Sequence, residues 1–300
     1  AFGLFLLGTL ALAELFSRWL MRPLRYLESG TAAFAAGDFG VRVQPVGARE
    51  TRALAEAFNA MADRVERVVA ELTAEERRTS RFVSDVSHEL RTPLTAIRGA
   101  AETLLDGEVP AHDAARFLTT IISESDRLTR LANDLLALQR IEGATGELPL
   151  RRVDLEVIAE RAVSALRPLL DEREVTLVIS GTAPRVLGDP DRLQQVIANL
   201  VDNATRMAER STVHIQLSRE GGTAVLSVLD EGPGIPGEDL EQLFDRFYRT
   251  QASRDRLTGG SGLGLAIVKA IATAHAGSIE AANRPRGGAR FTLRLPALDE

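Results

Sequence analysis

The 300-residue sequence reads as a multidomain protein with a helical N-terminal half and a C-terminal α+β sandwich. Three observations predict this. The length gives a prior of about two domains, and the apolar fraction of 45% is ample for folded cores. Apolar residues recur at spacings of three and four from Leu24 to Leu138, the period of amphipathic helices. Beyond residue 147 the pattern changes to short β-type runs alternating with helices, and the strands outnumber what a strict alternation would give.

The chain opens on an apolar run from Ala1 to Ala13, ended by Glu14. Thirteen residues are too few to span a bilayer, which takes about 20. Neither a basic leader nor a cleavage site marks a signal peptide. Arg18, Trp19, Arg22 and Arg25 follow at once, the aromatic-belt and positive-inside pattern of a helix leaving a membrane. The expectation is that residues 1–20 are the C-terminal part of a transmembrane helix, with the chain from about residue 21 onward cytoplasmic.

A linker is expected over 21–74. It comprises an amphipathic helix from Leu24 to Ala36, an extended Val41-Arg42-Val43, and a second helix from about Glu50. Leu54, Phe58, Met61, Val65, Val68 and Leu72 give that second helix coiled-coil periodicity. Two short helices cannot bury both stripes alone, so the unit implies a parallel dimer of helix pairs. The layout resembles a HAMP linker, a relay that follows a transmembrane helix in bacterial receptors.

The segment 75–145 should form an antiparallel helical hairpin. One helix runs to about Leu105, a turn covers Asp106 to Pro110, and a second helix carries Phe117, Ile121, Leu128, Leu131, Leu135 and Leu138. One hairpin leaves a face uncovered, which a four-helix dimer would cover. Within the first helix lies Ser87-His88-Glu89-Leu90-Arg91-Thr92-Pro93, a nucleophile, a carboxylate and a hydroxyl inside about one turn. His88 lies off the Val83/Val86/Leu90/Leu94/Ile97 stripe and shares a face with Thr92. Pro93 removes an amide donor and should kink the helix. The other histidines, His112, His214 and His275, read as surface decoration.

In the region 148–297, four stretches carry chemistry. Asn199 and Asn203 are four apart on one helical face; two amide oxygens there suit a hard cation such as Mg²⁺, although for the pair alone a polar helix face is the stronger reading. Asp230-Glu231-Gly232-Pro233-Gly234-Ile235 follows a strand, where a carboxylate can accept from an adenine amino group and glycines permit close approach to a flat ring; an ordinary turn is the alternative. Leu243 to Arg249 is aromatic and basic and precedes a polar segment, Thr250 to Thr258, that reads as a lid with arginines for phosphate. Gly259-Gly260-Ser261-Gly262-Leu263-Gly264 opens a helix, a ready phosphate cradle. It lacks the first-strand context of a dinucleotide site and the GK ending of a P-loop.

Composition narrows the chemistry further. The chain has no cysteine, which excludes disulfides, thiolate catalysis and Cys-ligated zinc. Its net charge of −6, with no basic tract, argues against nucleic acid as a partner. Lys269 is the only lysine, so other phosphate contacts fall to arginine, backbone or metal.

In order and separation, these stretches resemble the N, G1, F and G2 boxes of the Bergerat (GHKL) ATP-binding fold, and Ser87 to Pro93 resembles the H box. The chain thus resembles a membrane-bound bacterial sensor histidine kinase of the HisKA type, from the apolar stub to about Pro296. The resemblance implies ATP and Mg²⁺ as cofactors, a homodimer, a response regulator as partner and the bacterial inner membrane as location. It implies that His88 is phosphorylated, that Glu89 orients its ring, and that Asn203, helped by Asn199, holds Mg²⁺. Asp230 would bind adenine in a pocket shaped by Gly232, Gly234 and Ile235. Gly260, Gly262, Leu263 and Gly264 would line the phosphates, with Arg206, Tyr248 and Arg249 at the same site. Met207 stands where the family often has Tyr or His against the adenine, and a thioether can still pack there. The Glu-x-x-Thr spacing implies that Thr92 serves dephosphorylation of the regulator. A GHKL ATPase is the competing reading, disfavoured because Asn199 occupies the place of the water-activating glutamate. A non-catalytic ATP-binding scaffold is the third.

Overall fold

The protein is described from a computed structural model covering residues 2–17, 21–107, 109–142, 149–207, 210–250 and 260–298. Two compact units emerge, Ala1–Ser84 and Asp85–Glu300.

In the first unit, α1 (Phe2–Phe16) is apolar apart from Thr9 and Glu14, and Phe2, Phe5, Leu7 and Leu12 are exposed. No helix among the described residues is long and apolar enough to cross a membrane. Helix α2 (Arg22–Ala35) carries Pro23 in its first turn, where the missing amide costs nothing. Helix α3 (Arg49–Leu105) begins here and continues into the second unit. Leu27, Val43, Ala55, Phe58 and Ala62 form a small core between α2, the connector and α3. The extended Val41–Val43 connector is not a strand, because its partner is a side chain. Asn59 Nδ2 donates to the Val43 carbonyl at 2.8 Å, and Asn59 Oδ1 accepts from its amide at 2.9 Å. Arg42 binds Asp63 and Glu66 at 2.9 and 2.5 Å. Gly30 permits the approach, since a Cβ there would stand 2.3 Å from Val43 Cγ2. Leu54, Met61 and Val68, seven apart, stay exposed along α3.

The second unit starts with the hairpin of α3 and α4 (Ala111–Glu142), turned at Gly107 with φ +81°. Pro93 sits buried inside α3 and does not end it. Strand β1 (Arg151–Val153) follows, then α5 (Leu155–Glu172), whose N-cap Asp154 accepts from the Glu156 amide at 2.9 Å. Next come β2 (Thr176–Gly181), β3 (Val186–Gly188), α6 (Pro190–Met207), β4 (Thr212–Glu220) and β5 (Thr223–Leu229). Helix α7 (Gly264–Ala274) and the hairpin of β6 (Ser278–Asn283) and β7 (Ala289–Pro296) complete the fold.

The main sheet has the order β2-β4-β5-β7-β6, parallel only at β2–β4, while β1 and β3 pair separately. Leu193, Ile197 and Leu200 of α6 and Ile267 and Ile271 of α7 are fully buried with Ile215, Leu226, Phe291 and Leu293 of the sheet. Leu131 and Leu138 of α4 join this core, so the hairpin packs against α7. His275 departs from its sequence reading as surface decoration. It is buried: Nε2 accepts from the Asp189 amide at 3.0 Å, and Nδ1 faces the Ile271 carbonyl at 2.7 Å.

Candidate nucleotide site and phosphoacceptor helix

Helix α6 is strongly two-faced. Val196, Ile197, Leu200, Val201 and Ala204 fill the core, which leaves Asn199, Asp202, Asn203, Arg206 and Met207 on the opposite side. Those five line a cavity of about 310 Å³. Asn199 Nδ2 donates to the Gly264 carbonyl at 3.2 Å, which fixes the amide and directs its oxygen elsewhere. Asp202 Oδ2 binds Arg206 through Nε at 2.9 Å and Nη2 at 2.8 Å, so the guanidinium is held ready at the cavity wall. A Cβ on Gly260 would sit 3.7 Å from Arg206 Nη1, in ordinary contact.

The glycine-rich loop ahead of α7 forms the facing wall. Gly262 has φ +73°, and a Cβ there would come within 2.8 Å of the Phe247 backbone; its carbonyl accepts from the Phe247 amide at 2.9 Å. Gly260, Gly262 and Gly264 all line the cavity, beside an α7 N-terminus that lacks a side-chain cap. A helix N-terminus of this kind favours phosphate. Leu263 has its side chain in the core, so only its backbone belongs to the loop. Tyr248 and Arg249 line the cavity too, and the Tyr248 hydroxyl donates to Asp239. The lid read at Thr250 to Thr258 lies outside the described residues except for Thr250.

Asp230, Gly232, Gly234 and Ile235 lie next door rather than in this cavity, with Met207 between. A Cβ on Gly232 would stand 3.2 Å from Met207 Cβ. Asp230 is 2% exposed, and its Oδ1 accepts from the amides of Gly232 at 2.8 Å and Ala289 at 3.0 Å. Asn283 clamps the loop, accepting from the Ile235 amide and donating to its carbonyl, both at 2.7 Å. Gly234, with φ +81°, leaves room for that clamp. Arg284 donates to the Asp230 carbonyl. Asn283 and Arg284 are supports that the sequence reading missed.

The remaining wall comes from the hairpin. Arg127, Arg130, Asn133 and Asp134 of α4 line the cavity, and Ser261 Oγ donates to Asp134 Oδ2 at 2.7 Å while accepting from the Leu263 amide at 3.2 Å. Burial holds the Asp134 carboxyl above its ordinary value, with Asp202 adding to the shift and Ser261, Arg130 and Arg206 opposing it. These residues were also missed; their signal was three charges, Arg127, Arg130 and Asp134, flanking the Leu131/Leu138 stripe of α4 at helical spacing.

His88 is exposed on α3 and does not line the cavity. Thr92 is exposed one turn on, its hydroxyl donating to the His88 carbonyl at 3.4 Å. Glu89, about 100° around the helix from His88, is turned toward α4. Its Oε2 accepts from Arg127 Nη2 at 3.1 Å.

Among the described residues no cluster of three or more His, Cys, Asp or Glu side chains could hold a metal. Amide oxygens such as those of Asn199 and Asn203 fit a Mg²⁺ held mainly by phosphates and water, which needs no carboxylate cage.

A mixed sheet carrying three helices, with a cavity of nucleotide size against a histidine-bearing hairpin, defines the class of the fold as a two-layer α+β domain joined to a helical hairpin. Three family models match successive regions: the HAMP domain over 15–67, the His Kinase A (phospho-acceptor) domain over 78–144, and the histidine kinase-, DNA gyrase B- and HSP90-like ATPase over 188–299. The sensor histidine kinase MtrB of Mycobacterium bovis is 38% identical over 299 residues, covering 98% of this chain and 53% of MtrB. The Acinetobacter baumannii histidine kinase AdeS superposes with a TM-score of 0.57 at 29% identity, covering 71% of this chain and 98% of AdeS. ShkA in complex with AMPPNP gives 0.52 at 30% identity, covering 70% of this chain and 44% of ShkA. The chain belongs to the sensor histidine kinases. It spans about half the length of MtrB.

Proposed function

We propose that this chain is the signalling core of a two-component sensor kinase that transfers the γ-phosphoryl group of ATP to His88 and passes it to an aspartate of a response regulator. One observation carries the reading: a single cavity is lined by Asn199, Asn203, Arg206, the glycine loop and Arg127, and Arg127 binds the residue next to His88. Adenine would lie against Met207 and Gly232 and donate to the second oxygen of Asp230. The triphosphate would lie along Gly260, Gly262 and Gly264 toward Arg206 and Arg249. Asn203 and Asn199 would hold Mg²⁺, which supplies charge neutralisation for the phosphates. Neutral imidazole at His88 has a lone pair for in-line attack on phosphorus. ShkA, crystallised with AMPPNP, supports a nucleotide in this fold.

The proposed domains are residues 1–20 as part of a membrane-spanning helix, 21–74 as the HAMP linker, 75–145 as the dimerisation and phosphoacceptor hairpin, and 148–297 as the ATP-binding domain. The apolar run of α1 ahead of Glu14 supports placing it in the bacterial inner membrane, with the rest cytoplasmic. Exposed Val83 and Leu94 on α3 and Leu118 and Ile122 on α4 support a homodimeric four-helix bundle. Thr92 is proposed to orient water for dephosphorylating the regulator. Incubation with γ-labelled ATP and Mg²⁺ tests the reading: acid-labile, alkali-stable label is expected, and it must vanish in His88→Gln. Released phosphate without labelled protein would instead identify an ATPase.

A further inference from the structure

Arg127, on the hairpin wall of the cavity, has more claims on it than it has charge. Its Nη2 reaches Glu89 Oε2 at 3.1 Å, and its Nη1 stands 3.6 Å from Glu124 Oε2. That Glu124 oxygen is buried and accepts no hydrogen bond among the described residues. The three side chains are 23%, 29% and 25% exposed, so water screens the cluster only in part. One cation between two carboxylates leaves a net negative charge in a half-buried place, where an imperfectly paired carboxylate is costly. The third claim comes from the cavity itself, which Arg127 lines together with Arg206 and the glycine loop.

A triphosphate entering that cavity would bring further negative charge and offer a guanidinium two strong acceptors in fork geometry. We propose that Arg127 is a positioning residue that exchanges partners: without nucleotide it holds the Glu89 carboxylate, and a bound terminal phosphate draws it away, releasing Glu89 beside His88. This deepens the proposed kinase function and rests on it. The geometry explains why Glu89, one residue from His88, is turned toward α4 here. Glu89 has a partner on the cavity wall, and that partner is the group a phosphate competes for.

Competition has a reciprocal signature. If Arg127 gives up Glu89 in order to bind phosphate, then removing the Glu89 charge must strengthen phosphate binding by the same coupling. The test is calorimetric binding of a non-hydrolysable ATP analogue with Mg²⁺ to the full chain and its variants. Glu89→Gln should tighten binding by about fivefold, and Arg127→Ala should weaken it by about as much. The double variant should bind like Arg127→Ala alone, because the Glu89 effect acts only through the arginine. Glu124→Gln should also tighten binding, since it frees the same guanidinium, and it keeps the test open if Arg127→Ala fails to fold.

Unchanged binding in both Glu89→Gln and Glu124→Gln overturns the exchange. So does a Glu89→Gln tightening that persists without Arg127, because that would be general charge repulsion. Failure of the unsubstituted chain to bind the analogue would overturn the nucleotide-site reading itself. Normal binding with additive variants overturns only the exchange.

Discussion

Replacing Asp230 with asparagine changes one terminal atom of a side chain that serves two purposes. Oδ1 accepts from the amides of Gly232 and Ala289 at 2.8 and 3.0 Å, in a site where the residue is 2% exposed. An asparagine must keep its carbonyl oxygen in that position, because the alternative sets an NH₂ group against two N–H donors. Its NH₂ therefore lands where Oδ2 stood. If Oδ2 receives the adenine amino group, the variant opposes donor to donor. The loss is a charge-assisted hydrogen bond plus an unpaired donor, about 3 kcal/mol or more. That corresponds to at least about a hundredfold in nucleotide affinity. Stability should fall by only about 1 kcal/mol, since both loop hydrogen bonds survive. Asp230→Ala is the contrasting control: it strands two amides and should cost about 2–6 kcal/mol, enough to unfold a marginal domain. The assay is displacement of a fluorescent ATP analogue, with thermal unfolding measured without nucleotide. Nucleotide binding by Asp230→Asn within about threefold of the parent, at normal stability, would refute the adenine assignment.

Gly262→Ala forces a left-handed φ on alanine and drives its Cβ into the Phe247 backbone. The conformational term alone is about 1–2 kcal/mol, so equilibrium dialysis should show nucleotide affinity reduced at least about tenfold. Asp134 predicts a pH dependence. Its carboxyl is held above the ordinary 3.8, chiefly by burial between α4 and the glycine loop. The buried contact is therefore fully stable below the ordinary value and loses stability as pH rises through the raised one. Thermal unfolding between about pH 4 and about pH 7 should show that loss in the parent and not in Asp134→Asn; parallel profiles would rule it out. Thr92→Ala should slow dephosphorylation of the regulator about tenfold while His88 labels normally. Equal phosphatase rates would remove Thr92 from that role.

The hairpin and most of the sandwich were legible because their signals are local. The 3–4 spacing from Phe82 to Leu105 and from Phe117 to Leu138 marks the two helices directly. The β-type runs Ser278–Ala282 and Arg290–Leu295 mark β6 and β7, paired antiparallel, in the same local way. Strand β3 escaped because three residues carry no period, and its partner β1 lies some 35 positions away by register. Asn59 and Asn283 escaped for a related reason. Each replaces a strand partner with a side-chain amide reaching 16 and 48 residues along the chain. Spacing arguments report on neighbours three and four apart and are silent about such pairs.

The site divides along the same line. Asn199, Asn203 and Arg206 share one face of α6 because their spacing requires it, and all three line the cavity. The spacing gave no sign that Asp202 would hold Arg206, or that Ser261 would bond Asp134 across 127 residues. Docking of the hairpin makes the second of these contacts, through Leu131 and Leu138 in the core. This has a mechanistic consequence. The wall that α4 lends to the cavity carries Arg127, which binds Glu89, so in the proposed kinase nucleotide occupancy and the setting of α3 would bear on the same side chains. A signal that shifted α3 against α4 would move Glu89 relative to Arg127 and so alter the cavity without touching the ATP domain. Conversely, filling the cavity would reload the hairpin at the level of His88. Reciprocity of that kind is what a receptor needs if one helix is to report to one active site.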